Sequence, residues 1–155
     1  MPYSPYNYYA WQINSGSVCA VQFAASGPIS GFSIVVWMLP GDTLTILDAD
    51  FGTTPDDIDV MLPGITPSYM GYLGSNTYGY DIWQYDFEFA SLDPGTYWLI
   101  LQNAVCASGN AIFWDLYPLI RYPCWKSLVG YLTPDIDGAG TFTFKCDGAV
   151  SGAIS

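Results

Sequence analysis

Apolar and polar positions alternate with a period of two along much of this chain, and the alternation marks out its strands. From Val18 to Phe23, Cys19, Val21 and Phe23 fall on one face. From Gln84 to Phe89, the aromatic Tyr85, Phe87 and Phe89 oppose Gln84, Asp86 and Glu88. Thr141 to Cys146 repeats the pattern, with Phe142, Phe144 and Cys146 against Thr141, Thr143 and Lys145. Phe32 to Leu39 is apolar throughout, as in a strand covered on both faces. Turn sequences separate these stretches. Pro40-Gly41-Asp42 leads into Thr43–Leu47, Asp93-Pro94-Gly95 into Thr96–Leu101, and Ser108-Gly109-Asn110 into Ala111–Leu116. No window keeps a 3.6-residue period over three turns. The pattern predicts an all-β protein, an antiparallel β-sandwich of jelly-roll-like kind. The whole of 1–155 is expected as one domain: an extended segment over 1–13, the sandwich over 14–148 and a tail over 149–155.

Composition agrees with a folded chain, since 51% of residues are hydrophobic and only 11% are charged. Charge narrows the partners. Fourteen acidic residues face only Arg121, Lys126 and Lys145, with no histidine, for a net charge of −11. Such a surface repels nucleic acid and anionic membranes. Divalent cations, neutral polysaccharide and further copies of the chain remain compatible. Pro, Gly or Asp interrupts every apolar run before it reaches membrane-spanning length. No secretory leader pattern is visible, so export would make this the mature form or its ordered part.

Four cysteines, Cys19, Cys106, Cys124 and Cys146, are widely spaced and form no CxxC pair. Without histidine they do not resemble a zinc site, and two disulfides in an oxidising compartment are expected. Alternation turns Cys19 and Cys146 inward from the first and last main strands. This favours Cys19–Cys146 with Cys106–Cys124 among the three possible connectivities.

Candidate chemistry is sparse. Serine and cysteine nucleophiles lack a histidine base and no SxxK pattern is present, so no catalytic residue is assigned and no enzyme is expected. Asp48, Asp50, Asp56, Asp57 and Asp59 offer oxygen ligands for Ca²⁺, although without EF-hand spacing; a solvated acidic loop is the alternative. No other cofactor is implied. Tyr72, Tyr78, Tyr80 and Trp83, with Tyr69 and Tyr85 nearby, cluster around a Gly/Ser/Asn loop and could stack on sugars, unless part of them is core. The opening segment is uncharged and rich in Pro and Tyr. With Tyr6 preceding them, Tyr9, Trp11 and Ile13 share a face suited to filling a groove in a neighbouring copy, as a donated strand. The domain's own edge strand is the competing reading.

Several stretches together resemble a family of uncharacterised exported bacterial proteins of the PEP-CTERM-sorted type. They are Ala10-Trp11-Gln12-Ile13-Asn14, Ile29-Ser30-Gly31-Phe32, the run from Val36 to Thr45, Gly79-Tyr80-Asp81-Ile82, Pro94 to Leu99, Leu101 to Ala104 and Trp114-Asp115. The resemblance implies export and a jelly-roll-like domain at the cell surface or in the extracellular matrix, and it brings no catalytic residues. Residues 149–155 contain no Pro-Glu-Pro motif, so the sorting segment has been removed or this chain is held outside the cell by self-association. The expected function is a structural subunit of an extracellular bacterial fibril or matrix, assembled by self-association. The alternative is a secreted carbohydrate-binding module using the exposed aromatic residues.

Overall fold

The computed structural model describes residues 6–54, 57–117, 124–127, 133–134, 141–146 and 150–151. Every regular element among them is a strand: β1 (Tyr9–Gln12), β2 (Val18–Ala25), β3 (Ile29–Met38), β4 (Leu44–Thr54), β5 (Asp57–Ile65), β6 (Tyr69–Ser75), β7 (Asp81–Leu92), β8 (Gly95–Cys106), β9 (Phe113–Tyr117), β10 (Cys124–Ser127), β11 (Thr133–Pro134), β12 (Thr141–Phe142), β13 (Phe144–Cys146) and β14 (Val150–Ser151). They form two antiparallel sheets packed as a sandwich. The front sheet runs β1-β9-β3-β7-β6, with β12 beside β9 and β13 beside β3. The back sheet runs β11-β10-β2-β8-β4-β5, with β14 beside β2. No helix among the described residues is long and apolar enough to cross a membrane.

The alternating faces point where the sequence predicts. Cys19, Val21 and Phe23 of β2 are buried, as are Tyr85 and Phe87 of β7 and Phe142, Phe144 and Cys146 near the C-terminus. Aromatic rings knit the sheets together: Phe23 of the back sheet meets Phe144 of the front sheet at 5.3 Å, and Phe51 of the back sheet meets Phe32 at 6.1 Å and Phe89 at 5.2 Å. Offset and edge-on contacts of this kind add to simple burial. Strand β3 is central, and both of its faces are covered. Phe32, Ile34, Val36 and Met38 enter the main core, while Val35 and Trp37 form an outer cluster with Ile82, flanked by Tyr6, Ala10, Tyr80 and Phe113.

Two segments expected as loops are strands. The acidic stretch continues the ladder: Asp48 and Asp50 lie on β4, and Asp57 and Asp59 on β5. Leu47, Ala49 and Phe51 alternate with the two aspartates on β4 and hold the strand to the core. The aromatic stretch contains β6. Gly71, Gly74 and exposure on both faces erase the period-two signal there.

The expected disulfides are absent, because all four cysteines are buried thiols. Alternation did turn Cys19 and Cys146 inward, but their positions along the strands keep them apart. Ala25 opposite Gly95 and Ile29 opposite Leu92 mark one end of the sandwich. Cys19 stands six residues from Ala25, whereas Cys146 is level with Phe32, three residues from Ile29. At about 3.3 Å per residue they are offset by roughly 10 Å along the strands, across sheets about 10 Å apart. A disulfide needs Cα atoms within about 7 Å. The second pair is worse placed. Cys124 faces Val21, which faces Leu99, while Cys106 lies seven residues further along β8, or roughly 20 Å away. Burial also shields the thiols from oxidants.

The opening segment is the chain's own edge strand. Tyr9 to Gln12 pairs with Leu116 to Phe113 of β9. Trp11 packs on the core and Ile13 lies fully inside it, while Tyr9 stays 60% exposed at the strand end. Residues 1–5, which hold both prolines of this segment, lie outside the described residues, as do 118–123 with Arg121.

Candidate functional site

Strand β6 is the free edge of the front sheet. It pairs with β7 on one side, and among the described residues no strand pairs with the other. Tyr69 (56%), Met70 (44%), Tyr72 (54%) and Leu73 (42%) are all exposed on it. Residues 61–80 contain no charged side chain, within a chain of net charge −11. Folded proteins usually guard such an edge with charge, proline or a bulge. On β6 only a register shift between Tyr72 and Gly74 interrupts the ladder. The outer strand of the back sheet, β5, is guarded by Asp59 and Pro63.

The aromatic residues expected to form one platform are split between the two faces of the sheet. Tyr72 is the register partner of Trp83, and the two meet edge-on at 5.3 Å on the core-facing side. Tyr78 and Tyr80 lie on the outer side, packed against Trp37 at 5.9 and 5.8 Å. Residue parity across the β6–β7 turn decides this separation. Tyr85, nearby in sequence, is core, and its hydroxyl accepts the Leu44 amide at 3.0 Å.

Beneath the outer aromatic cluster sits a residue whose role the sequence concealed. Asp115 is fully buried. Its Oδ1 accepts the Trp37 indole N–H at 2.8 Å, and its Oδ2 has no hydrogen-bond partner. Burial pushes this carboxyl up to about 7, with hydrogen bonds from Trp37 and Thr143 acting in the other direction. Asp115 marks the fork where β9 leaves β3 and the C-terminal strands wedge in. The backbone N–H of Thr143 donates to the Asp115 carbonyl at 2.9 Å, and Trp114 Nε1 donates to the Thr143 carbonyl at 3.0 Å. Tyr6 lies close by, and its phenol is raised by burial and then by the Asp115 charge. The segment bearing Tyr6 is tied down by Asn76, whose side-chain amide donates to the Tyr6 carbonyl at 3.1 Å, and by Asn7, whose Oδ1 accepts the Thr77 amide at 2.7 Å. In the sequence Asp115 occupies an outward position of an alternating strand, which ordinarily means solvent.

The described aspartates weighed for calcium, Asp48, Asp50 and Asp59, do not converge. Asp48 is engaged by its own sheet: Oδ1 accepts the Gly64 amide and Oδ2 the Asn103 side-chain amide, each at 2.7 Å. Asp50 is buried, and burial raises its carboxyl above the ordinary range, helped by the neighbouring Asp48 charge and opposed by the Gln102 contact. Asp59 is exposed near Tyr97, whose phenol is raised first by burial and then by the charges of Asp93 and Asp59. Asp56 and the Asp57 side chain lie outside the described residues. Among the described residues no three His, Cys, Asp or Glu side chains come together as a metal site.

Of the interface residues weighed at the N-terminus, Trp11 and Ile13 pack into the chain's own sandwich, Tyr6 joins the outer cluster and Tyr9 stays exposed. Ile13 donates its amide to the Ile112 carbonyl beside the front sheet and accepts the Ala104 amide from β8 of the back sheet. Lys126 of β10 lies 4.4 Å over the Trp11 ring, and Cys19 Sγ contacts the Gln12 carbonyl at 3.7 Å. No protein-family model, no curated protein and no solved structure matches this chain.

Proposed function

We propose that this protein is a non-catalytic structural subunit of an extracellular bacterial fibril or matrix, and that copies associate through the β6 edge. One observation carries the reading: an acidic chain keeps its uncharged, aromatic stretch on a strand edge that no other strand among the described residues pairs with. Edge-to-edge pairing would satisfy the open N–H and C=O groups and cover Met70 and Leu73. The placement outside the cell follows from the resemblance to exported bacterial proteins. Donation of the N-terminal strand would have to withdraw Ile13 from the core and break its links to both halves of the sandwich. The contact is therefore assigned to β6.

Sizing and negative-stain microscopy of the purified protein test this reading. The native chain should form oligomers or fibres, and more readily at higher salt, because screening weakens repulsion between acidic copies. The Met70→Lys/Leu73→Lys variant should stay monomeric with its fold intact. A native chain that remains monomeric at high concentration and high salt would sink the proposal.

A further inference from the structure

The outer face of the front sheet holds a groove of about 650 Å³ that shares only its rim, at Ser68 and Tyr69, with the association edge. Its floor is a single row across four strands. Lys145 of β13 faces Ser33 of β3, Ser33 faces Asp86 of β7, and Asp86 faces Tyr69 of β6. With strands about 4.8 Å apart, the row spans roughly 14 Å. Glu88, Ser68, Ser30 and Gly31 also line it.

Two features of the row look prepared for a ligand. The Asp86 carboxylate is oriented through one oxygen, since Oδ1 accepts both the Ser33 hydroxyl at 2.6 Å and the Gln84 amide at 3.0 Å. At the rim, Tyr69 is 56% exposed and its phenol end lies over Gly71. A Cβ on Gly71 would come within 2.9 Å of the Tyr69 hydroxyl and 3.1 Å of its ring. Gly71 is not among the glycines with positive φ, so the backbone alone does not demand glycine there. What it permits is the seating of this ring.

We propose that the groove binds a neutral, hydroxyl-rich saccharide chain. Tyr69 would stack on a pyranose face, Asp86 and Glu88 would accept sugar hydroxyls, the Lys145 ammonium would donate, and the Ser33 and Ser68 oxygens, whose hydrogens go to Asp86, would accept. An apolar face at one end and fixed polar groups along the floor suit a sugar, which has both characters. A polyanionic glycan would meet Asp86, Glu88 and a chain of net charge −11. The site is separate from the Tyr72/Trp83 and Tyr78/Tyr80 pairs.

The test is titration of the full chain with cellohexaose, maltoheptaose and xylohexaose, followed by calorimetry, with polygalacturonate as the charged counterpart. The Met70→Lys/Leu73→Lys background removes the association surface, so failure of one proposal does not disguise failure of the other. At least one neutral probe should bind. Tyr69→Ala, Gly71→Ala and Asp86→Asn should each weaken binding at least about tenfold, while Tyr78→Ala leaves it unchanged. Each variant is checked by thermal unfolding. Should Asp86→Asn not fold, the two substitutions on the exposed β6 strand carry the test. Absence of binding by every neutral probe at millimolar concentration, equal binding of polygalacturonate, or indifference to Tyr69→Ala and Gly71→Ala would overturn the proposal.

Discussion

The two edges of the front sheet end in opposite ways. At one, β1 is only four residues long, yet it is held from several directions. Ile13 bonds to both halves of the sandwich, Lys126 covers Trp11, and Asn76 and Thr77 hold the segment before the strand. At the other, the seven residues of β6 carry exposed rings and no charge, and none of those ties. A strand edge is made safe by being short and covered, or else it is left available for pairing. Sequence composition alone misleads on which is which, because both segments are aromatic and uncharged.

The largest expected effect lies at the closed edge. Ile13→Asp would place an unpaired charge in the core at the junction of the sheets and should cost more than about 4 kcal/mol. Chemical denaturation should find the variant unfolded or nearly so. A cost below about 1 kcal/mol would mean that β1 does not close the sandwich.

Next comes Asp115, which faces Ala10 of β1 in the ladder. Its carboxyl stands at about 7 in the fold against an ordinary 3.8, so the folded chain binds this proton more tightly than the unfolded one. Its contribution is therefore fully present below about pH 4 and is lost as pH rises to about 7, a change of roughly 3–4 kcal/mol. Asp115→Asn should flatten the stability profile over that window relative to the native chain. Equal slopes in the two proteins would show that Asp115 is not the titrating group.

Lys126→Ala removes the cation from Trp11 and should cost about 1 kcal/mol in urea unfolding. The open edge should be the least sensitive. Met70→Lys/Leu73→Lys exchanges exposed side chains and should shift stability by no more than about 0.5 kcal/mol, while abolishing assembly. A large loss there would mean that β6 is packed in the isolated subunit and the contrast between the edges is false.

Much of the fold is legible in local pattern. The strict alternation at Gln84–Phe89 and Thr141–Cys146, and the apolar run from Phe32 to Met38, predict most of the buried faces that the structure shows, although Leu39 is exposed and Thr143 is buried. Strand β6 is not legible in this way, because an edge strand exposed on both faces imposes no alternation. The candidate site is less legible still. Tyr69, Asp86 and Lys145 lie far apart in the chain and become one row only through the registers of β6, β7, β3 and β13.

What the sequence determined by itself is therefore the class of fold and the direction in which most strand side chains point, since both follow from a two-residue repeat that any extended chain obeys. Tertiary structure alone decided distance along the strands and between them. It set Cys19 and Cys146 about three residues apart along the strands on facing sheets, paired β1 with its own β9, and buried Asp115 at an outward position beneath aromatic rings contributed by distant strands and the N-terminal segment. These are contacts between residues remote in sequence. Alternation within a strand carries no information about register between strands, which is set by packing of the whole core.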